Sequence, residues 1–148
     1  MLFRSLDVAR TMMFHANVPK SFWNEAILTS IYLINRVPSR ILGHKSSFEI
    51  LYNRKPYVDH LRTFGCVYYV HLPSQTRDKL SHRSVKCMFL GYNPNKKAYK
   101  CIDPSTNERY LSRDTTFVEH ECYFDEIISK EENLEKSLPM FLIGKKTR

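Results

Sequence analysis

Metal or acid–base chemistry in this chain would fall to its six histidines, four cysteines and fifteen carboxylates. Their spacing argues against a metal centre. No Cys-x-x-Cys occurs and no two histidines stand three to five residues apart; His82 with Cys87 and His120 with Cys122 are isolated couples. Cys66, Cys87, Cys101 and Cys122 read as reduced thiols that serve as small core hydrophobes. Two-metal phosphoryl transfer needs carboxylates converging from separate elements onto a rigid frame. Asp7, Glu25, Glu49, Asp59, Asp78 and Asp103 instead sit beside turns, caps or basic neighbours, as caps, turn residues or solvated side chains do. Gly43, Gly65, Gly91 and Gly144 are too scattered for a phosphate loop, and no local Ser-His-Asp motif occurs.

Binding chemistry is better represented. Arg77, Lys79, Arg83, Lys86, Lys96, Lys97 and Lys100 oppose a single acid, Asp78, and Tyr92 and Tyr99 interleave with them. Lys and Arg on the loops of a small β-domain can track a phosphate backbone, and exposed aromatics can stack on bases. The bland reading is a solvated basic surface with both tyrosines in the core. The whole chain has 23 basic against 15 acidic residues, a net +8, and the excess lies before Asp125. A polyanionic partner suits that balance, with nucleic acid ahead of membrane.

The elements that must position these residues follow from periodicity. Leu2, Leu6, Ala9 and Met13 keep a helical period until Asn17-Val18-Pro19, so a helix is expected to stop near His15. Pro19 suits the first turn of a second helix, whose apolar face would be Trp23, Ile27, Ser30, Ile31 and Ile34 and whose end would lie near Arg36, ahead of Pro38. Ser46-x-x-Glu49 has capping-box spacing and predicts a short helix to about Tyr52. From Gly65 the period becomes two, and strands are expected over 66–71, 85–92, 98–102, 109–112 and 116–118. Five short strands with tight turns suggest a small closed barrel. Beyond Phe124 the charges mix, giving a loose helix or a linker, and Met140-Phe141-Leu142-Ile143 forms an apolar knot before a basic end. Neither a signal peptide nor an apolar run of about 20 residues occurs, so the protein is expected to be soluble and intracellular.

Several of these motifs recur in series. Ser46-x-x-Glu49-x-x-Tyr52-x-x-Lys55-Pro56 is followed by Leu61-Arg62-x-Phe64-Gly65-Cys66, then by Lys79-Leu80-Ser81-x-Arg83-Ser84-x-Lys86-Cys87-x-Phe89-Leu90-Gly91-Tyr92. Tyr99-Lys100-Cys101-Ile102-Asp103-Pro104 and Ser112-Arg113-Asp114 continue the series. In this order the chain resembles the integrase part of copia-type retrotransposon Pol polyproteins, from about Leu6 to Glu119.

The resemblance implies an α+β chain. Residues 1–37 would be the last helices of an RNase H-like integrase core, 38–62 a connector with a short helix, 63–122 an SH3-like five-stranded β-barrel and 123–148 a polar tail or linker. The helices would then have lost the sheet they evolved against and open before the barrel. The parent activity it implies is DNA strand transfer with two divalent metal ions held by two Asp and one Glu, all of which would align upstream of Met1. The expectation is a non-catalytic piece without a cofactor or small-molecule substrate. Its partners would be DNA and other integrase or polyprotein chains, not membrane, and its location the nucleus, although no targeting signal is present. The basic residues expected to touch DNA are Arg77, Lys79, Arg83, Lys86, Lys96, Lys97 and Lys100. A protein-interaction module is the rival reading, because SH3-like barrels also bind peptides, and an inert transposon remnant is the other.

Overall fold

The first helix, α1, runs Leu2–His15 and ends where Asn17 takes a left-handed conformation. There the Val18 amide bonds the Met13 carbonyl and the Asn17 amide bonds that of Phe14, a Schellman stop. A 3₁₀ turn at Lys20–Phe22 leads into α2, Trp23–Ile34. A second 3₁₀ turn, Arg40–Leu42, precedes the short α3, Ser47–Tyr52, and the Ser46 hydroxyl accepts from the Glu49 amide at its N-terminus as the capping spacing predicts. Strands β1 (Cys66–His71), β2 (Ser84–Tyr92), β3 (Tyr99–Asp103), β4 (Glu108–Ser112) and β5 (Thr115–Cys122) follow, and then helix α4, Tyr123–Ser137. This computed structural model describes residues 2–76, 79–80, 82–113 and 115–137; the knot at 140–143 lies outside them.

All strands pair antiparallel in the order β4-β3-β2-β1-β5. The chain is therefore α+β, helices first and a five-stranded sheet after, as expected. A closed barrel, however, is not formed: among the described residues the ladder stops at β4 and β5, which remain edges. The sheet curls far enough that side chains do the closing. Phe117 of β5 reaches Tyr99 of β3 at 4.9 Å between ring centroids, and the Tyr68 hydroxyl donates to the Ser112 carbonyl at the end of β4. Inside the curl Tyr68, Phe89, Tyr92, Cys66, Cys87 and Cys101 form one buried cluster. β5 outruns its expected end at Val118 because a bulge opposite Cys66 and Val67 admits Glu119, His120 and Glu121, whose charges hide strand character.

The outer face of the same sheet is covered as well. Met88, Leu90 and Ile102 share a core with Ala9, Ala16, Val18 and Ala26 from α1 and α2. A bulge between Phe89 and Gly91 takes Leu90 out of the β3 register, and its carbonyl accepts instead from the buried Thr29 hydroxyl at 2.7 Å. The stripe that α2 buries is thus Ala26, Thr29 and Ser30, whereas Trp23 is 59% exposed and Ile31 is exposed. Of the face expected from periodicity, Ser30 is buried and Ile27 packs against this core, while close approach of helix to sheet adds the small Ala26 and Thr29 in place of Trp23 and Ile31. The helices thus keep a sheet to pack on: the outer face of this one.

Candidate nucleic-acid interface

The basic residues singled out by sequence do not converge. Lys79 and Arg83 lie exposed in the β1–β2 connection, while Lys96 and Lys97 lie exposed in the β2–β3 turn, at the opposite end of β2. Nine strand residues separate the two pairs, a span of about 26 Å. Arg77 lies outside the described residues. Lys86 faces α4, where its Nζ is 2.6 Å from the Glu126 carboxylate and lies over the Tyr123 ring, so a neighbouring acid already neutralises it. That bond holds the Glu126 carboxyl below the usual carboxylate range. Lys100, opposite Gly91 in the ladder, is half-buried in a small cleft with Glu25, Thr29 and Tyr32. Among the described residues no ion pair holds Lys79, Arg83, Lys96, Lys97 or Lys100.

The two interleaved tyrosines belong to the core. Tyr92 is 9% exposed, accepts from the Arg62 amide at 2.8 Å and donates to the Arg62 carbonyl. Burial pushes its hydroxyl pKa up to about 12. Tyr99 is half-buried and donates to the His60 carbonyl at 3.1 Å. Neither offers a face to a base; both tie residues 60–62 to the mouth of the curled sheet.

Sequence reasoning missed the connector that these tyrosines anchor. Between Arg36 and Val58 stand Arg36, Arg40, Lys45, Arg54 and Lys55 against Glu49. Arg40, Lys45, Arg54 and Lys55 are exposed, as are Tyr52 and Tyr57, and among the described residues no ion pair holds any of these four cations. The Arg36 guanidinium lies 3.4 Å from the Tyr32 ring centroid and 5.1 Å from that of Phe48, and the Arg54 guanidinium lies 5.7 Å from the Phe48 centroid. The density of Arg, Lys and Tyr around Pro38 and Pro56 was the available signal. The same residues also satisfy turn and cap rules.

His60 sits at the centre of this anchor. Its Nε2 is 2.6 Å from the Tyr32 hydroxyl, its Nδ1 is buried without a partner among the described residues, and its ring stands edge-on to Tyr92. Burial chiefly, then Arg36 and Arg62, holds its pKa below the ordinary 6.5, with Asp59 opposing weakly. The unfolded chain therefore takes up a proton on His60 before the folded one does. The stabilisation is complete above pH 6.5 and is lost as pH falls below that value toward the lower folded pKa. Stability between about pH 7 and pH 5 is expected to fall more steeply for the native chain than for His60→Gln, measured by urea unfolding at each pH. Parallel pH profiles would remove His60 from this role.

The carboxylates have structural occupations. Glu25 pairs with Arg109 at 2.9 Å, Glu119 accepts from the Thr63 amide and hydroxyl, Asp125 accepts from the Asn17 side chain, and Asp103 closes the turn before β4 through Ser105. Among the described residues no group of three or more His, Cys, Asp or Glu could hold a metal ion. All four cysteines are buried and free, and burial first of all raises the Cys66 thiol to about 12. Among the described residues no helix is long and apolar enough to cross a membrane.

With this geometry in place, comparison with known proteins is specific. The family model of the retroviral polymerase SH3-like domain matches residues 66–132, from β1 well into α4. The Retrovirus-related Pol polyprotein from transposon RE1 of Arabidopsis thaliana is 37% identical over 118 residues, 80% of this chain and 8% of that protein. That from transposon TNT 1-94 of Nicotiana tabacum is 38% identical over 116 residues, 78% of this chain and 9% of its own length. The chain thus spans less than a tenth of these polyproteins, and no solved structure matches it. Likeness over four fifths of the chain, together with the domain match at 66–132, places this protein in the family of copia-type retrotransposon Pol polyproteins, as a bearer of their retroviral polymerase SH3-like domain.

Proposed function

We propose that the chain contacts DNA without catalysing chemistry on it, as the part of an integrase that holds nucleic acid in place. The observation that carries this reading is a net +8 whose cations at both ends of β2 stand exposed and free of ion pairs among the described residues. Lys79 with Arg83, and Lys96 with Lys97, are two contact points about 26 Å apart, close to the rise of eight base pairs. Arg77 belongs with the first pair by sequence, Lys100 borders the second, and Lys86 contributes only if Glu126 lets it go. The structural occupations of Glu25, Asp103, Glu119, Asp125 and Glu126 support the non-catalytic half of the proposal, which requires no cofactor and no small-molecule substrate. DNA integration would be the parent process, the nucleus its place, and other polyprotein chains its further partners.

Salt tests it directly. If about four cations reach phosphates, log affinity for duplex DNA falls against log salt with a slope near −3.6, read by fluorescence anisotropy. Duplexes much shorter than about eight base pairs cannot bridge both points and should bind with a slope roughly half as steep. A salt-independent affinity would overturn the reading in favour of an apolar peptide groove.

A further inference from the structure

We propose that the connector between the helical pair and the sheet is a stacking platform for unpaired bases of a nucleic-acid strand, centred on Tyr57 and flanked by Arg54 and Lys55. The inference rests on the nucleic-acid reading above but on other residues, outside the 66–132 domain match. Tyr57 is 66% exposed, yet its ring is not loose: it lies nearly parallel to the His60 imidazole, 8° apart at 5.5 Å between centroids. His60 is itself pinned by the Tyr32 hydroxyl on its ring and the Tyr99 hydroxyl on its carbonyl. One face of Tyr57 is thus backed and the remainder of the ring open to solvent. A base stacking there meets a surface whose ordering cost is already met in the free protein.

The second aromatic is held in the same way. Tyr52, 57% exposed, packs on Phe48 at 4.7 Å, and Phe48 lies under the guanidinium groups of Arg36 and Arg54. Scattered exposed tyrosines need no explanation. Here, however, two braced rings share a segment with five cations and one acid, and four of those cations are exposed. A π-face for the base beside a cation for its phosphate is what sequence-tolerant single-strand binding requires. Bases inside a duplex are already stacked and cannot present that face, so the occupant is an unpaired strand and not a double helix. The charge favours it over an acidic peptide only through the rings, which a carboxylate chain would not use.

The full chain is titrated with a labelled oligothymidylate of about twelve nucleotides, an abasic deoxyribose-phosphate strand of equal length and the matching duplex. Tyr57→Ala should weaken oligothymidylate binding by about fivefold or more, Tyr57→Phe should not, and neither should change binding of the abasic strand or the duplex. Circular dichroism of each variant shows that the fold persists. An unchanged oligothymidylate affinity, or an equal loss on the abasic strand, would overturn the platform. Failure of the sheet reading looks different: the native chain would then bind no duplex, while its oligothymidylate affinity still fell with Tyr57→Ala.

Discussion

Gly65→Ala is expected to destabilise the chain by about 3 kcal/mol, which for a chain of this length lowers the melting temperature by roughly 9 °C. Two costs combine. Gly65 has φ +77°, where an L side chain costs about 1 kcal/mol or more. An added Cβ would also stand 2.5 Å from the Ala16 Cβ and 2.9 Å from Val18 Cγ2, so overpacking contributes about 1–3 kcal/mol. Neither neighbour can withdraw easily, because both are buried at the end of α1. Nor can Gly65 move: its amide bonds the Phe89 carbonyl at 2.9 Å and its carbonyl accepts from the Tyr123 amide.

The same contact decides whether the helices and the sheet unfold together. Gly65 leads into β1, and Ala16 and Val18 follow α1, so the close approach joins the two halves of the chain. With Thr29 on the Leu90 carbonyl and a shared core, Trp23 fluorescence and far-ultraviolet circular dichroism are expected to report one transition, displaced together by Gly65→Ala. Ala16→Gly placed in the Gly65→Ala background should recover part of the loss by removing the nearer clash. A shift under about 0.5 kcal/mol, or a Trp23 transition that moves while the sheet's does not, would mean that the helices are not seated as described.

What the sequence made legible follows from how locally each signal is encoded. Ser46 and Glu49 set the start of α3 through one hydrogen bond, and the run of Val and Tyr from Cys66 to Val70 marks β1 by its own strand propensity. Neither the bulge at Leu90 nor the docking of α2 on it could be read that way. Each depends on Thr29 meeting a backbone carbonyl 61 residues away, and threonine at a helical position carries no mark of that purpose. The binding cations show the same limit. Lys86 reads as one of a basic run until α4 brings Glu126 against it, a contact between residues 40 apart. Tyr92 and Tyr99 look exposed beside lysines until Arg62 and His60 claim their hydroxyls. The connector was overlooked for the opposite reason: its residues satisfy turn and cap rules so fully that no remainder called for explanation.

Reversing Lys79, Arg83, Lys96 and Lys97 to Glu together is expected to weaken duplex binding at least a hundredfold at about 0.1 M salt. Loss of roughly four phosphate contacts removes a counterion-release contribution that scales as the 3.6 power of salt concentration, on the order of a thousandfold at that salt, and some of it returns through nonspecific contacts elsewhere. Reversing one pair should cost about the square root of the full effect, because each pair is an independent contact point about 26 Å from the other along β2. Net charge alone would also weaken binding, so the comparison that matters changes charge equally and place differently. Reversal of Arg4, Arg10, Lys20 and Lys130, all exposed and outside the sheet, lowers the net charge by the same amount. If the two ends of β2 form the interface, the first variant loses far more affinity than the second and most of its salt slope; equal losses would leave a diffuse basic surface as the account of the charge.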